Sequence, residues 1–326
     1  MKNNFDAFPG LIFSFNRAMQ LDAVLKSFFY HCQDTELIEL SVLYKVSDEL
    51  NRAQYESLIR DYPQVSFIAQ TDFRNDVLNW ITQRSSEALN KFVRKYLHWF
   101  QLSRKSKVFK VFFNRYIRAI VLWFLPCDSD KLILFLVDDN IFTRDFSLES
   151  IIQQMRECPK ALGFSLRLGR NTTYCYAHSS DQALPHFTEI TDHVLRYDWT
   201  AAEHDFAYPL EVSSSVFRVK QILPLLLRSD FGNPNGLEGV IASQPYRYAR
   251  TNPFLFCFET SITFCAPINI VQNVVNNRVG NQSLYSAASL CQIFESGERI
   301  NIRVFDDFVS NSCHQEVELY FTKKVK

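Results

Sequence analysis

Two adjacent carboxylates and an amide, Asp138, Asp139 and Asn140, directly follow the apolar run 132–137. Such a continuous apolar run is typical of a strand buried on both faces of a sheet, and ligands bind outside the carboxyl ends of strands in open α/β sheets. The two acids carry like charge and need compensation. A hard divalent cation supplies it through oxygen ligands, with a diphosphate completing the shell. The pattern therefore predicts a Mn²⁺ or Mg²⁺ site at Asp138 and Asp139.

A second group of polar side chains, Ser14, Asn16 and Arg17, lies at the end of the first apolar run, 11–15. Polar groups in the first βα loop of a sheet can contact the base or ribose of a nucleotide. A simple turn that leads into a helix is the alternative interpretation. Because this loop falls on the same sheet edge as the two acids, we predict that the three residues contribute to nucleotide binding.

The residues around these motifs alternate between strand and helix patterns. In the first helix, for example, Leu21, Val24, Leu25 and Phe28 recur at helical spacing. An alternating order of strands and helices implies a mostly parallel sheet with helices on both faces. Strands are predicted over 11–15, 40–45, 65–69, 132–137 and 161–168, and helices from about residue 20, around 53–59 and after Ser147.

A candidate general base, Glu238, lies in the segment 233–239, where a proline and glycines predict a turn. Asn235 is the predicted cap of the helix that follows. Glu238 would then lie in the first helical turn, where the helix dipole favours an ionised carboxylate. That environment suits a group that takes a proton from a hydroxyl. An ordinary first-turn glutamate is the alternative, and Glu211 and Asp230 are the other acids considered for this role.

Several weaker signals come from the second half of the chain. The stretch 197–211 is aromatic and polar, which fits either a saccharide-binding surface or core aromatic residues. Arg167 and Arg170 follow the fifth strand and could contact phosphate, but we favour a surface position for both. In the tail, strands are expected over 301–305 and 317–321.

The segment 84–118 is strongly basic, with ten Lys and Arg residues against the single acid Glu87. Apolar residues are interleaved with the basic ones, so we predict two amphipathic helices with a break near 103–106. One interpretation is a solvated basic face beside a stripe of core residues. The other is contact with anionic membrane lipid or an anionic acceptor.

Composition and motif searches exclude several classes of protein. Lys and Arg number 35, as do Asp and Glu, which argues against a nucleic-acid-binding protein. Neither GxGxxG nor GxxxxGK[ST] occurs. The eight cysteines are scattered and none forms CxxC, so we expect reduced thiols rather than a disulfide scaffold. The N-terminal residues do not resemble a signal peptide and the most apolar run, 119–126, is too short to cross a bilayer, which favours a cytoplasmic protein.

The two polar motifs carry a resemblance. Residues 13–17, Phe-Ser-Phe-Asn-Arg, with the helix after them, resemble the nucleotide-binding start of bacterial GT-A glycosyltransferases of the family 2 type, and 137–142, Val-Asp-Asp-Asn-Ile-Phe, resemble their DxD region. Two features depart from the pattern: Tyr44 and Lys45 stand where an acid is usual, and Asn140 replaces the second aspartate of DxD.

The resemblance implies a GT-A α/β fold over 1–285, with a donor half over about 10–170, an acceptor half over about 170–285, and a tail, 286–326, that packs on the domain. It implies a nucleoside-diphosphate sugar as donor, with UDP favoured, and a saccharide or lipid-linked saccharide as acceptor. In that site Asp139 would bind the metal, Asp138 the ribose or metal, and Asn140 would support them. His314 would complete the metal shell, although a lone histidine is also a common structural residue.

In such an enzyme Glu238 would activate the acceptor and the product would be inverted. The role expected is the synthesis of a surface polysaccharide or glycoconjugate, at the inner face of the membrane if the segment 84–118 binds lipid. Two other functions are considered. A sugar nucleotidyltransferase shares the fold type and the acidic metal site, but it normally carries a glycine-rich basic loop after the first strand. A non-catalytic carbohydrate-binding protein would not need both acids.

Overall fold

The computed structural model describes residues 5–84, 91–99, 131–191, 193–269 and 285–324. The strands are β1 (Phe8–Phe15), β2 (Ile38–Lys45), β3 (Ser66–Ala69), β4 (Leu132–Val137), β5 (Asn140–Phe142), β6 (Ala161–Ser165), β7 (Tyr174–Cys175), β8 (Ser180–Asp181), β9 (Thr188–Thr191), β10 (Val194–Asp198), β11 (Ser214–Arg218), β12 (Phe254–Phe258), β13 (Thr263–Cys265), β14 (Glu298–Ile300) and β15 (Phe321–Lys323). The helices are α1 (Ala18–His31), α2 (Glu49–Asp61), α3 (Phe73–Gln83), α4 (Leu148–Glu157), α5 (Val219–Arg228), α6 (Pro234–Ala242) and α7 (Ala287–Glu295), with a further helical stretch over 91–99.

A nine-stranded sheet in the order β3-β2-β1-β4-β11-β6-β12-β10-β9 forms the centre of the molecule. The first four strands in this order are parallel to one another. Strand β11 runs antiparallel between β4 and β6, and β10 runs antiparallel between β12 and β9. Since β6 and β12 are parallel, seven of these nine strands point in one direction. The predicted α/β fold with a mostly parallel sheet is therefore confirmed.

Both faces of the sheet are covered, as the alternation of side chains along the interior strand β4 shows. In β4, Ile133 and Phe135 belong to one buried hydrophobic cluster, whereas Leu134 and Leu136 belong to another. Successive side chains of a strand point to opposite faces, so the two clusters lie on opposite sides of the sheet. Helices α1, α2, α4 and α7 contribute to one of them, and α3, α5, α6 and 91–99 contribute to the other.

Side-chain caps define where α2, α3 and α4 begin. Asp48, Asp72 and Ser147 each accept a hydrogen bond from the backbone N–H three residues later, at the starts of α2, α3 and α4. Ser147 is the cap that the sequence predicts. The caps of α2 and α3 fix the loops that follow β2 and β3 at the carboxyl edge of the sheet.

The tail packs against α1 and α2. Gln54 donates a hydrogen bond to the carbonyl oxygen of Cys291 at 3.0 Å, and Arg299 lies 3.9 Å from the Asp22 carboxylate. The strand predicted over 301–305 is wrong, because Ile302–Phe305 is a 3₁₀ helix. Ile302 and Phe305 are buried, and a spacing of three residues puts them on one face of a 3₁₀ helix. The second predicted strand, 317–321, is displaced to Phe321–Lys323, which pairs with β14.

The basic segment 84–118 is described only at residue 84 and over 91–99. The described stretch is helical, with Val93, Tyr96 and Leu97 buried and with Arg94 and Lys95 exposed. The Tyr96 hydroxyl donates a hydrogen bond to the carbonyl oxygen of Leu227 at 2.5 Å, which joins this helix to α5. The rest of the predicted helical pair, and its break, lie outside the described residues.

Among the helices that the structure describes, we find none that is long and apolar enough to span a bilayer. Seven of the eight cysteines fall within the described ranges, and all seven are free thiols, as the scattered spacing predicts.

Candidate functional site

The polar motifs of the sequence meet at one edge of the sheet. Strand β1 ends beside β4, with Phe13 opposite Val137, so Ser14 and Arg17 face Asp138 across neighbouring strand ends. The start of antiparallel β11 and the end of β6 reach the same edge, two strands further along. Neighbouring strands are spaced about 4.8 Å apart, so the ends of β4 and β6 are separated by roughly 10 Å.

The first group at this edge, here called the aspartate cluster, consists of Ser14, Arg17, Tyr55, Asp138, Asp139 and Asn269. The Arg17 guanidinium donates to Asp138 at 2.9 Å and lies 3.6 Å from Asp139. Burial disfavours the Arg17 cation, but the charges of Asp138 and Asp139 outweigh burial, so the pKa of Arg17 is raised. Arg17 thus supplies part of the positive charge that compensates Asp138 and Asp139, a role that the sequence analysis gives to a divalent metal ion.

Further hydrogen bonds hold the aspartate cluster in place. The Ser14 hydroxyl donates to Asp138 at 2.9 Å, and the backbone N–H of Phe15 donates to the same carboxylate oxygen at 3.2 Å. The Tyr55 hydroxyl lies 2.5 Å from the Ser14 hydroxyl and accepts from the backbone N–H of Arg17 at 3.2 Å. Since Ser14 donates to Asp138, Tyr55 donates to Ser14.

Asp139 differs from Asp138 in its environment. Its Oδ1 atom is buried and has no hydrogen-bond partner among the described residues. Burial, opposed by Arg17 and reinforced by Asp138, raises the pKa of Asp139 to about 6. A buried carboxylate oxygen without a partner is costly for a protein unless something else binds it. The aspartate cluster therefore offers one free oxygen and an excess of negative charge.

Asn16 and Asn140 lie close to the cluster but their amides are engaged elsewhere. Asn16, whose φ is 54°, donates to the Ser47 hydroxyl at 2.7 Å and accepts from the Ser47 backbone N–H at 3.0 Å. Asn140 is fully buried, accepts from the backbone N–H of Val137 and donates to the thiol of Cys265. In this structure Asn140 closes the turn that carries the two aspartates, so its contacts are those of a positioning residue.

The second group, here called the glutamate cluster, consists of Arg167, Tyr208, Glu211, Ser213 and Glu238. Arg167 is buried, which corrects the surface position favoured from the sequence. It donates to the Ser213 hydroxyl at 3.0 Å, and that hydroxyl donates to Glu211 at 2.5 Å. Burial opposes the Arg167 cation, but Glu211 outweighs it and raises the pKa of Arg167. Arg170, by contrast, is exposed and pairs with Glu189, as a surface residue should.

The two glutamates of this cluster differ in how many donors they accept. Glu211 is buried and its carboxylate accepts from two backbone N–H groups and two serine hydroxyls, contributed by Ser213, Ser214 and Ser215. These donors lie directly before β11 or in its first two residues, so Glu211 holds the start of that strand. Its contacts are those of a structural carboxylate.

Glu238 is half-buried and accepts from the Tyr208 hydroxyl at 3.1 Å and from the Val212 backbone N–H at 3.4 Å. Burial and the neighbouring Glu211 charge raise the pKa of Glu238. The predicted cap is wrong: Asn233 caps α6 and Glu238 is the fifth residue of that helix, outside the first turn. Its environment therefore comes from Tyr208 and Glu211 rather than from the helix dipole.

His314 lies at the same edge, where its backbone forms a β-bridge with Cys265. Cys265 pairs with Asn140 on one side and with His314 on the other. Burial and the positive charge of Arg167 lower the pKa of His314 to about 3, so its imidazole is neutral, which is the form that binds metals. Burial and the charge of Asp139 raise the pKa of the Cys265 thiol, whereas the positive charge of Arg167 lowers it. Cys265 thus connects the two clusters.

The sequence patterns identify only part of these two clusters. Tyr55 lies inside α2 and looks like a core residue in the helical pattern, and the role of Arg167 depends on a carboxylate 44 positions away. The aromatic stretch 197–211 divides: Tyr197 and Trp199 are buried in the core, whereas Tyr208 reaches Glu238. Asn269 is the first residue of the amide-rich segment and binds Arg17, while 270–284 lies outside the described residues.

Comparison with known proteins identifies a sequence relative of this chain. No protein-family model matches the sequence. The chain is 23% identical over 320 residues to the bifunctional glycosyltransferase pgtA of Dictyostelium discoideum. The predicted resemblance to glycosyltransferases is confirmed at this coarse level. The alignment covers 89% of this chain but 36% of that protein, so the chain spans about a third of its relative's length.

Solved structures show only distant likenesses. The apo WbbM bifunctional glycosyltransferase is 11% identical, with a TM-score of 0.29 over 78% of this chain and 46% of its own. Apo mouse xyloside xylosyltransferase 1 is 9% identical, with a TM-score of 0.33 over 88% of this chain and 94% of its own. A 4-diphosphocytidyl-2C-methyl-D-erythritol synthase is 12% identical, also with a TM-score of 0.33, over 88% and 100%. Scores this low carry no weight for function.

Proposed function

We propose that this chain is a GT-A-type glycosyltransferase that moves a sugar from a nucleoside-diphosphate sugar, with UDP favoured, to an acceptor hydroxyl. The observation that carries the proposal is the aspartate cluster at the carboxyl edge of the sheet. There the Oδ1 atom of Asp139, which has no partner among the described residues, lies beside Asp138. The similarity to a glycosyltransferase over most of the chain supports the reaction class.

The donor set of this cluster fits a hard divalent cation such as Mn²⁺ or Mg²⁺, because such ions take carboxylate oxygens and complete their shell with phosphate oxygens and water. Asp139 would hold the ion through its free oxygen, with Asp138 beside it. When bound, the ion would offset the negative charge that develops on the departing nucleoside diphosphate. His314 is a further candidate ligand, because its imidazole is neutral and its backbone pairs with that of Cys265.

Arg17 has a role of its own in this proposal. Two carboxylates and one guanidinium leave the cluster with one net negative charge, which attracts a cation but repels a bare diphosphate. A divalent cation reverses that sign, so cation and diphosphate should bind together. Arg17 holds Asp138 at 2.9 Å and reaches Asn269 at 3.1 Å, and so orients the carboxylates before either ligand arrives.

Glu238 is proposed as the general base of the glutamate cluster. The hydroxyl oxygen of the acceptor would bond to the anomeric carbon, while the bond from that carbon to the diphosphate breaks and its electron pair leaves with the diphosphate. The proton of the hydroxyl would pass to Glu238, whose raised pKa makes it a better acceptor for that proton. Tyr208 and Val212 hold the carboxylate for this transfer. Attack opposite the leaving group would invert the anomeric configuration.

The acceptor side of the proposal is a saccharide or a lipid-linked saccharide in the synthesis of a surface polysaccharide or glycoconjugate. Tyr208, an aromatic residue of the stretch 197–211, donates a hydrogen bond to the proposed base Glu238. A cytoplasmic location and contact of the basic segment 84–118 with the membrane belong to the same proposal.

Calorimetric titration of the full chain with UDP tests the donor site. With Mn²⁺ present, the wild type should bind UDP, and chelation of the metal should weaken binding at least tenfold. Asp139→Ala should lose the metal-dependent part of UDP binding. It should also lower turnover of UDP-sugars by roughly 10²–10³-fold, the usual cost of losing electrostatic stabilisation. Glu56→Gln, at an exposed position of α2, is the matched control and should behave like the wild type.

Equal UDP affinity with and without metal in the wild type would refute the metal-dependent donor site. Formation of pyrophosphate from a sugar phosphate and UTP, without sugar transfer, would favour the nucleotidyltransferase alternative. Saccharide binding without any nucleotide binding would favour the non-catalytic alternative.

A further inference from the structure

A group of metal-binding side chains outside both clusters consists of Cys175, His178 and His204. Cys175 is the last residue of β7, His178 lies in the loop between β7 and β8, and His204 begins the 3₁₀ helix His204–Ala207. One ligand atom from each residue lies within 4.8 Å of the other two. Cys175 is buried, His204 is half-buried and His178 is exposed, so the group opens to solvent on one side.

These three side chains are close to the geometry of a zinc site. With Zn–S near 2.3 Å and Zn–N near 2.0–2.1 Å, the ligand atoms of a tetrahedral site are roughly 3.3–3.7 Å apart. Separations of up to 4.8 Å require a closure of at most about 1.5 Å, which the exposed His178 side chain can supply by changing rotamer. The two imidazole rings already lie 4.9 Å apart between centroids. The Asp205 carboxylate also interacts with the Cys175 thiol.

The backbone around the group is held independently of any metal. Gln182 donates to the backbone carbonyl of Thr172 at 3.0 Å and accepts from the backbone N–H of Asp205 at 3.1 Å, which joins the β7–β8 hairpin to the 3₁₀ helix. The backbone N–H of Ala183 donates to Glu203 at 3.0 Å and makes a second link. The elements that carry the three side chains are therefore fixed relative to each other before an ion binds.

From this geometry we infer that Cys175, His178 and His204 form a zinc site that is separate from the aspartate cluster, with water or Asp205 at the fourth position. A thiolate with two imidazoles suits zinc, whereas Mn²⁺ and Mg²⁺ prefer oxygen ligands. The two sites should thus select different metals. A search for CxxC does not detect this site, because the second residue of its Cys-x-x-His pair is a histidine and its third ligand is 26 positions further along.

The site has a structural role in this inference. The 3₁₀ helix that His204 begins leads directly to Tyr208, which binds Glu238. The β7–β8 hairpin, which carries Cys175 and His178, contacts the tail, since the backbone N–H of Tyr174 donates to the carbonyl oxygen of Asn311 at 3.0 Å. A bound zinc ion would tie Tyr208 to the hairpin and the tail, and would stabilise this side of the glutamate cluster.

Metal analysis of the full chain, purified without a histidine tag, tests the inference. After incubation with zinc and removal of loosely bound metal, the wild type should retain about one zinc per chain. His178→Ala should weaken zinc binding roughly tenfold or more and should abolish the zinc-dependent rise in melting temperature. Because His178 is exposed, this variant should fold normally. His186→Ala, an exposed histidine of the same stretch, is the matched control and should retain zinc.

Cobalt substitution identifies the ligands. Co²⁺ bound to the wild type should show visible absorption together with a thiolate-to-cobalt charge-transfer band, and Cys175→Ser should lose that band. Asp139→Ala should keep its zinc, so loss of the proposed donor site and loss of the zinc site are distinguishable. Absence of zinc from the wild type, equal zinc retention by His178→Ala, or loss of zinc from Asp139→Ala would each overturn the inference.

Discussion

The aspartate and glutamate clusters are built on the same plan, since each sets one arginine against two carboxylates at the same edge of the sheet. They differ in how the carboxylates are satisfied. In the glutamate cluster, Glu211 accepts from backbone and serine donors and leaves Glu238 as the less occupied carboxylate. In the aspartate cluster, both acids share Arg17, and Asp139 keeps one oxygen without a partner among the described residues. The first arrangement suits proton transfer and the second suits binding of a cation.

The largest effect on activity should come from Glu238→Gln. An amide cannot take the proton of an acceptor hydroxyl, so turnover should fall about 10²–10⁴-fold. Donor affinity, measured by calorimetry with UDP and Mn²⁺, should stay within about twofold of the wild type because the aspartate cluster is intact. Loss of both turnover and donor binding would make Glu238 a structural residue and would remove the proposed contrast with Glu211.

Glu211→Gln should act mainly on stability. The amide nitrogen would meet the donors of Ser213 and Ser214, and the buried Arg167 would lose its charge partner. Leaving a buried charge without its compensating partner costs about 3 kcal/mol in the free energy of unfolding, which urea denaturation followed by circular dichroism would measure. Glu238→Gln is the matched variant and should cost less than about 1 kcal/mol. Equal losses in the two variants would show that Glu211 has no special structural role.

Arg17→Met should separate the binding of cation from the binding of nucleotide. Without the guanidinium, the two aspartates are more negative, so Mn²⁺ alone should bind more tightly than to the wild type. If Arg17 also donates to the nucleotide, as the sequence analysis predicts, UDP with Mn²⁺ should bind roughly tenfold or more weakly, because hydrogen bonds to charged groups are worth about 1.5–3 kcal/mol. Paired titrations with Mn²⁺ alone and with UDP give both quantities. Parallel changes in the two affinities would mean that Arg17 acts only by holding the fold.

Metal binding at the aspartate cluster should depend on pH. A carboxylate must be ionised to bind a cation, and the pKa of Asp139 is raised to about 6. Mn²⁺ affinity should therefore be constant above about pH 7 and fall up to tenfold per pH unit below pH 6. In the absence of cation, ionising Asp139 should lower the stability of the folded state as the pH rises from about 4 through 6. Asp139→Asn should remove both dependences, and an unchanged pH profile in that variant would contradict the assignment.

The smallest effect is expected for Tyr55→Phe. Its hydroxyl donates to Ser14 and accepts from the backbone N–H of Arg17, so its removal leaves that N–H without an acceptor at a cost of about 1 kcal/mol. Thermal denaturation would measure this loss, while donor affinity should change less than about threefold. A large loss of donor affinity with unchanged stability would show that Tyr55 contacts the nucleotide instead of supporting the cluster.

Much of the fold could be predicted from local patterns. Strand β4 is a short run of six apolar residues, and α1 carries apolar residues at helical spacing, so each element follows from its own residues. Prediction failed for the tail, where Ile302–Phe305 forms a 3₁₀ helix. Short apolar segments are compatible with either element, and packing against α1 and β5 decides between them.

The sequence by itself determined that polar motifs lie at strand ends. An apolar run that ends in Asp138 and Asp139 places two carboxylates at the end of a buried strand, wherever that strand lies in the sheet. Only the tertiary structure decided which groups surround them. Strand order brings Arg17 to the aspartates and Arg167 to Glu211, and the burial that follows makes each pair of charges interact strongly. Such contacts join residues more than forty positions apart, so no local pattern of residue types could have revealed them.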